Sequence, residues 1–104
     1  MHLVTTETVD RPIERGEIVY AVAISGANIL RDMREAVVNT LGGHMTRYEA
    51  LLDKTIARAL DGLSERAGAK GYDDVLGIRV THPYITNGAI EVVVTGTGFK
   101  YARE

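Results

Sequence analysis

Three histidines are the residues of this chain best suited to binding a metal ion: His2, His44 and His82. No two of them stand at the i, i+4 spacing that places two imidazoles on one face of a helix, and the absence of cysteine removes thiolate ligands. A site for a divalent metal must therefore be assembled in space. His44 is the candidate ligand, because the thioether of Met45 lies next to it and assembly of several subunits would gather several copies. The simpler interpretation is that His44 is a solvated residue in a loop between two helices.

A second candidate site is the glycine-containing turn at residues 26–34, which leads from a strand into the start of a helix. Free backbone N–H groups and the positive end of the helix dipole favour an anion at such a place. This predicts binding of a small anionic metabolite or nucleotide. The simpler interpretation is that the glycine makes a tight turn and the asparagine caps the helix. The residues of this candidate anion site are Gly26, Ala27, Asn28, Arg31 and Arg34.

No set of residues in the sequence is typical of catalysis. Asp73 and Asp74 are adjacent, so on a strand their carboxylates would point to opposite faces and could not share a proton. Gly96 and Gly98 resemble the start of a dinucleotide-binding loop, but Tyr101 stands where its third glycine would be. We therefore expect a binding or scaffold protein rather than an enzyme.

The composition narrows the classes of partner. Lysine and arginine number 12 against 14 aspartate and glutamate, a net charge of −2, so the chain as a whole lacks the positive field that binds nucleic acid. No stretch approaches the roughly 18 consecutive apolar residues of a membrane span. The lack of cysteine fits a reducing compartment. We therefore expect a cytoplasmic protein without nucleic-acid or membrane partners.

The periodicity of apolar residues predicts one α+β domain over residues 1–104. A long helix is indicated from Thr46 to Ala67, where apolar side chains recur three and four residues apart, and a shorter helix is indicated over residues 28–41. The pair Gly42–Gly43 separates the two helices. Residues 7–16, which contain charges and Pro12, are predicted to form a loop. Extended segments are predicted at residues 3–6, 17–25, 75–81 and 89–101.

This order, β-β-α-α-β-β, predicts a two-layer subunit. An antiparallel sheet of three or four strands would be covered on one face by the short and the long helix. The last two strands would pair as a hairpin, with a loop longer than two residues between them.

The segment at residues 17–25 is apolar on both faces, although the helices of so small a chain can cover only one side of the sheet. The other face therefore needs a partner, and a second copy of the chain is the simplest one. We expect the interface to use the face that carries Val19 on this strand and Val93 on the last strand. The predicted interface residues are Val19, Ala21, Arg79, Glu91, Val93 and Phe99.

A set of glycines and their neighbours runs through most of the chain. Its members are Gly26, Ala27, Asn28, Ile29, Arg31, Asp32, Gly42, Gly43, Tyr48, Gly71, Asp73, Val75, Gly77, Ile78, Gly96 and Thr97. With this spacing the chain resembles the YbjQ-like family of small bacterial proteins, often labelled as heavy-metal-binding. The resemblance implies a dodecin-like or YbjQ-like α/β subunit with an antiparallel sheet, and assembly into a ring, a pentamer in some members.

Two stretches depart from the family pattern. Residues 55–58 replace a patch rich in alanine, arginine and glutamate, and Tyr72 stands where members tend to have alanine. The chain is therefore interpreted as a ring-forming, non-catalytic binding or scaffold protein whose ligand is undefined. A divalent-metal-binding protein is one alternative, and a binder of small anions at subunit junctions is the other.

Overall fold

The computed structural model describes residues 1–26, 43–83 and 89–103, and over residues 43–48 it describes the backbone alone. Within these residues it contains one helix and one antiparallel sheet of three strands. The elements are β1 (Ile13–Ser25), α1 (Gly43–Ala69), β2 (Asp74–Thr81) and β3 (Ile90–Tyr101).

The strand order in the sheet is β1-β3-β2, so β3 is central and both of its neighbours run antiparallel to it. The prediction of a hairpin between the last two extended segments is confirmed, since Thr81 pairs with Val93 and eight residues separate the two strands. The predicted short helix at residues 28–41 lies outside the described residues.

β1 begins at Ile13, so the prediction of a loop over residues 7–16 is wrong for its last four residues. Pro12 stands just before the strand, where its missing donor costs nothing in the sheet. The pairing of β1 with β3 shifts register between Arg15 and Ile18, and this bulge lets the charged start of the strand join the sheet.

α1 presents a ridge of side chains at four-residue spacing to the sheet. Thr55, Ala59, Leu63 and Ala67 are all buried, which confirms the apolar face predicted for the long helix. The helix begins at Gly43, before the predicted start at Thr46. The described part of the chain contains no helix long and apolar enough to cross a membrane.

Gly71 ends the helix in a left-handed conformation, with φ of 85°. The N–H of Gly71 donates to the carbonyl of Gly68 at 3.0 Å, and the N–H of Tyr72 donates to the carbonyl of Ala67 at 3.1 Å. This is the hydrogen-bond pattern of a Schellman cap, which satisfies the last carbonyls of the helix. It turns the chain back over the sheet and sets the position of Tyr72.

The core lies between α1 and the inward face of the sheet. Small residues of β1, Ala21 and Ala23, meet the helix ridge, and Val92 and Val94 of β3 fill the centre. An added Cβ at Gly62 would lie only 3.3 Å from the Cβ of Ala21, so helix and strand approach closely at this point. Close approach of this kind favours small residues on the inward face of β1.

The N-terminal segment, residues 2–6, runs beside β2. The backbone of Val4 donates to Val75 at 3.0 Å and accepts from Ile78 at 3.1 Å, and Gly77 donates to Thr6 at 2.8 Å. The extended segment predicted at residues 3–6 is thus present as an isolated parallel bridge between Leu3 and Val75.

Candidate functional site

Four large side chains of β1 point away from the helix and remain exposed to solvent. Their exposed fractions are 62% for Ile18 and 53% each for Tyr20, Val22 and Ile24. They alternate along the strand with the buried residues of the inward face, as the two-residue period of a strand requires. We call these four residues the outward stripe. In the described part of the chain it is the one continuous row of exposed large apolar side chains.

The outward stripe continues across the sheet through half-buried residues of β3. Ile18 pairs with Thr97, Tyr20 with Thr95 and Val22 with Val93. On the far side, Arg79 pairs with Thr95 and Thr81 with Val93. The side chains on the outward face therefore change from apolar on β1 to polar on β2.

This register corrects the predicted interface. Val19 and Ala21 lie on the inward face, with exposed fractions of 1% and 3%, and pack against α1. Val93 lies on the outward face, but its neighbour there is Val22. Both alternations of β1 are apolar, so the pattern alone did not indicate which one faces the helix. The helix takes the alternation with the smaller side chains.

The other predicted interface residues occupy varied positions. Phe99 is 1% exposed, with its ring edge-on to Tyr101 at 5.4 Å, so the structure does not offer it to a partner. Glu91 is also buried. Arg79 is exposed, but it donates to Glu7 at 2.6 Å and to the carbonyl of Thr5 at 3.0 Å, so it holds the N-terminal segment.

Two arginines of α1 reach the edge of β1 that no other described strand pairs with. Arg58 donates to the carbonyl of Ile24 at 2.9 Å, and Arg66 donates to the carbonyl of Tyr20 at 3.1 Å. The guanidinium of Arg66 also lies 5.2 Å from the centre of the Tyr20 ring. Nothing in the sequence pattern pointed to these arginines, because only the packing of helix against strand sets their reach.

A shallow groove of about 280 Å³ lies between the start of the outward stripe and the last turn of α1. Arg66 and Lys70 border it on the helix side, and Lys70 also forms an exposed ion pair with Glu17 at 3.5 Å. Its lining residues are Ile18, Val19, Tyr20, Arg66, Ala69 and Lys70.

The buried carboxylate of Asp74 fastens the N-terminal segment. It accepts from the backbone N–H of His2 at 2.6 Å and from the hydroxyl of Tyr101 at 2.6 Å. Burial raises the pKa of Asp74, but these two hydrogen bonds and the nearby positive charges outweigh it, so the pKa lies below its usual value. The hydrogen bond to Asp74 in turn raises the pKa of Tyr101. All of these groups have partners, which is typical of a structural cluster.

The predicted metal ligand, His44, lies in the first turn of α1 rather than in a loop, and its side chain is not described. His2 and His82 are exposed at opposite ends of the β2 region. Among the residues that the structure describes, no three histidine or carboxylate side chains are grouped to hold a metal. The prediction of a metal at His44 stays a prediction.

Of the candidate anion site, only Gly26 lies within the described residues, as an exposed residue directly after β1. Ala27, Asn28, Arg31 and Arg34 lie outside the described residues, so the structure says nothing of their arrangement.

Comparison with known proteins decides the family. A family model described as "Putative heavy-metal-binding" matches residues 1–102. The chain belongs to the YbjQ-like family. Relatives of this YbjQ-like chain include a UPF0145 protein of Bacillus cereus, 36% identical over 88 residues that cover 85% of each chain. A UPF0145 protein of Halobacterium salinarum is 35% identical over 104 residues, covering 98% of this chain and 100% of the relative.

A solved structure supports the fold of the YbjQ-like chain. It is a crystal structure of a protein of unknown function of the DUF74 family from Pediococcus pentosaceus, with a TM-score of 0.69 and 98% of each chain covered. Sequence identity is 16%, so this similarity bears on the fold alone.

Tyr72 of this YbjQ-like chain lies over two glycines of the sheet. A Cβ at Gly16 or at Gly98 would come within 2.6 Å of Tyr72 ring atoms. The Tyr72 hydroxyl also accepts from the backbone N–H of Glu17 at 2.7 Å. The tyrosine is therefore accommodated by glycines on both strands beneath it.

Proposed function

We propose that this YbjQ-like protein is a non-catalytic subunit that assembles with copies of itself through the outward face of β1 and acts as a binding or scaffold protein. The outward stripe is the observation that carries the proposal. Contiguous apolar surface of this kind is rare on monomers and marks interaction sites. We place the assembly in the cytoplasm because the chain lacks cysteine.

The free energy available from the outward stripe is consistent with a closed assembly. Full burial of a large apolar side chain contributes roughly 1.5–3 kcal/mol, and these side chains are about half exposed, so one stripe contributes on the order of 3–6 kcal/mol. Association costs about 4–15 kcal/mol in lost freedom of motion. A contact that buries one stripe would be weak by itself, but closing a ring adds one further contact without a further association cost, which favours a closed ring over an open chain. The ring implied by the family resemblance, a pentamer, meets this requirement.

Light scattering on the purified protein at micromolar concentration tests the proposal. We expect a mass of several subunits, and Val22→Glu should reduce it because the carboxylate would have to be desolvated in the contact. Val80→Glu is a matched control, since Val80 is 41% exposed but pairs with the inward-facing Val94, away from the outward stripe. A mass near 11.3 kDa for the unmodified protein would refute self-assembly.

Metal binding is the first alternative function, and the family's description supports it. A ring would bring several copies of His44 together, whereas a single copy supplies one imidazole. Zn²⁺ should then raise the melting temperature near pH 7, where imidazole is largely neutral, and His44→Ala should abolish the shift. No stabilisation by any divalent metal would refute this alternative.

Binding of a small anion is the second alternative. The groove beside the outward stripe favours it, because Arg66 and Lys70 lie on one wall and the Tyr20 ring on the other. Binding of a nucleoside monophosphate should weaken with added salt and with Lys70→Gln. Affinity that weakens with salt but is insensitive to Lys70→Gln would place the anion elsewhere, such as at residues 26–34, and affinity insensitive to both changes would refute a charge-based anion site.

A further inference from the structure

β1 is an edge strand among the described strands, so one side of its backbone is not paired with another strand. Backbone groups of an antiparallel strand point alternately to either side. The carbonyls of Tyr20 and Ile24 accept bonds from the helix, which shows that the even-numbered residues direct their backbone groups to the free edge. The backbone of Val22 lies between them and points the same way.

An unprotected edge of this length invites addition of another strand. Here side chains of α1 occupy the edge of β1. Arg58 and Arg66 bind the carbonyls at Ile24 and Tyr20. An added strand would need these same backbone groups, so it would have to displace side chains that already bind them.

The opposite edge of the sheet is occupied as well. The N-terminal segment takes the backbone groups of Val75, Gly77 and Ile78 on β2. Arg79 and Asp74 fasten this segment by their bonds to Thr5 and His2. With both edges occupied, a second copy can make an apolar contact with the described sheet through its outward face.

We propose that Arg58 and Arg66 close the edge of β1 against strand addition, so that a second copy of the chain packs on the outward stripe instead of extending the sheet. This inference rests on the self-assembly proposed above and specifies its mode. A two-fold strand addition centred on Val22 would set Tyr20 of one copy opposite Ile24 of the other. It would bring Arg66 of one copy beside Arg58 of the other, and the like charges would repel.

Amide hydrogen exchange on the full-length protein, followed residue by residue, distinguishes the two modes. The N–H of Val22 points to the free edge, whereas those of Ala21 and Ala23 point to β3. We expect the Val22 amide to exchange on the order of 100-fold faster than those of Ala21 and Ala23, because only the latter are in a strand ladder. Equal protection of all three amides would overturn the inference.

The double variant Arg58→Gln and Arg66→Gln tests the arginines directly. Copies of this variant should pair through the free edge of β1. The Val22 amide should then become protected from exchange, and larger species that bind thioflavin should form. Lys54→Gln is the matched control, since Lys54 is an exposed cation on the same helix, and it should behave as the unmodified protein. A double variant with unchanged mass and unchanged Val22 exchange would overturn the inference.

The two proposals can fail separately. Light scattering of the unmodified protein decides whether it assembles, whatever the mode. If that protein is monomeric, self-assembly is refuted, while strand addition by the double variant alone would still support the closed edge. If it assembles with a protected Val22 amide, assembly stands and the closed edge is refuted.

Discussion

Replacing Gly98 with alanine probes how Tyr72 is accommodated on the sheet. The new Cβ would lie within 2.6 Å of Tyr72 ring atoms, well inside van der Waals contact. The ring cannot simply swing away, because the Schellman cap sets its backbone and its hydroxyl accepts from Glu17 at 2.7 Å. The ring must therefore shift as a body, or β3 must move from beneath it.

Overpacking of this kind costs typically about 1–3 kcal/mol, and loss of the hydroxyl contact to Glu17 would add roughly 0.5–1.5 kcal/mol. We therefore expect Gly98→Ala to lower the free energy of unfolding by about 2–4 kcal/mol. For a domain of this size the melting temperature should fall by roughly 8–20 °C.

Urea unfolding at one fixed protein concentration measures the effect, since oligomerisation would make stability depend on concentration. A double-mutant cycle with Tyr72→Ala isolates the contact. Tyr72→Ala alone should destabilise through lost packing, but Gly98→Ala added to it should cost little, because the ring is no longer above the new methyl group.

Additive costs in this cycle would refute the reasoning, since they would mean that Gly98 is required for the strand itself and not for the ring. A similar cycle at Gly16 provides an internal check, because Tyr72 lies over that glycine too. A cost for Gly98→Ala below about 0.5 kcal/mol would show that the ring moves freely.

Three further predictions follow from buried and paired polar groups. Thr55 donates to the carbonyl of Leu51 at 2.7 Å, so its hydroxyl must accept from Ser25 at 2.6 Å. Thr55→Val should therefore cost about 1–3 kcal/mol, more than Ser25→Ala, because only the valine leaves a buried hydroxyl, that of Ser25, unpaired. Urea unfolding of both variants measures the two costs. The lowered pKa of Asp74 means that its ionised form stabilises the fold at pH values above its unfolded-state pKa of 3.8, and that this contribution is lost as the pH falls through the lower folded pKa. Unfolding curves of Asp74→Asn should therefore depend less on pH in this range, and an unchanged dependence would contradict the assignment. Arg79→Ala should cost under about 1 kcal/mol in global stability, because its ion pair is exposed, yet it should speed proteolysis of the N-terminal segment.

Much of the fold follows from local patterns in the sequence. The long helix was predictable because its apolar residues recur at helical spacing, and Gly71 marks its end because a left-handed residue is needed there. The two strands of the hairpin were predictable from alternation and from the turn residues between them. Family membership was predictable from the spacing of glycines and their neighbours along the chain.

The start of β1 and the fastening of the N-terminal segment were not predictable in this way. Residues 13–16 carry charges and a glycine, which locally favour a loop, but pairing with β3 through a bulge makes them a strand. The segment at residues 2–6 is held by hydrogen bonds to β2, whose residues lie more than seventy positions further along the chain. Such long-range pairing overrides weak local preference.

Part of the candidate site was likewise predictable. A strand apolar on both faces, in a chain with few helices, indicates an uncovered apolar surface, and the structure has one at Ile18, Tyr20, Val22 and Ile24. Which alternation is uncovered was decided by packing. The ridge of α1 approaches β1 closely enough that alanines fit beneath it, so the larger side chains are directed outward.

The edge of β1 was decided by tertiary structure alone. Arg58 and Arg66 are ordinary exposed cations in the helical pattern, and nothing in their spacing distinguishes them from Lys54. They bind the strand because α1 crosses the sheet beside β1 at a distance that their side chains can span. Local periodicity determines which face of an element is apolar, whereas the position of that element against its neighbours determines which polar groups meet.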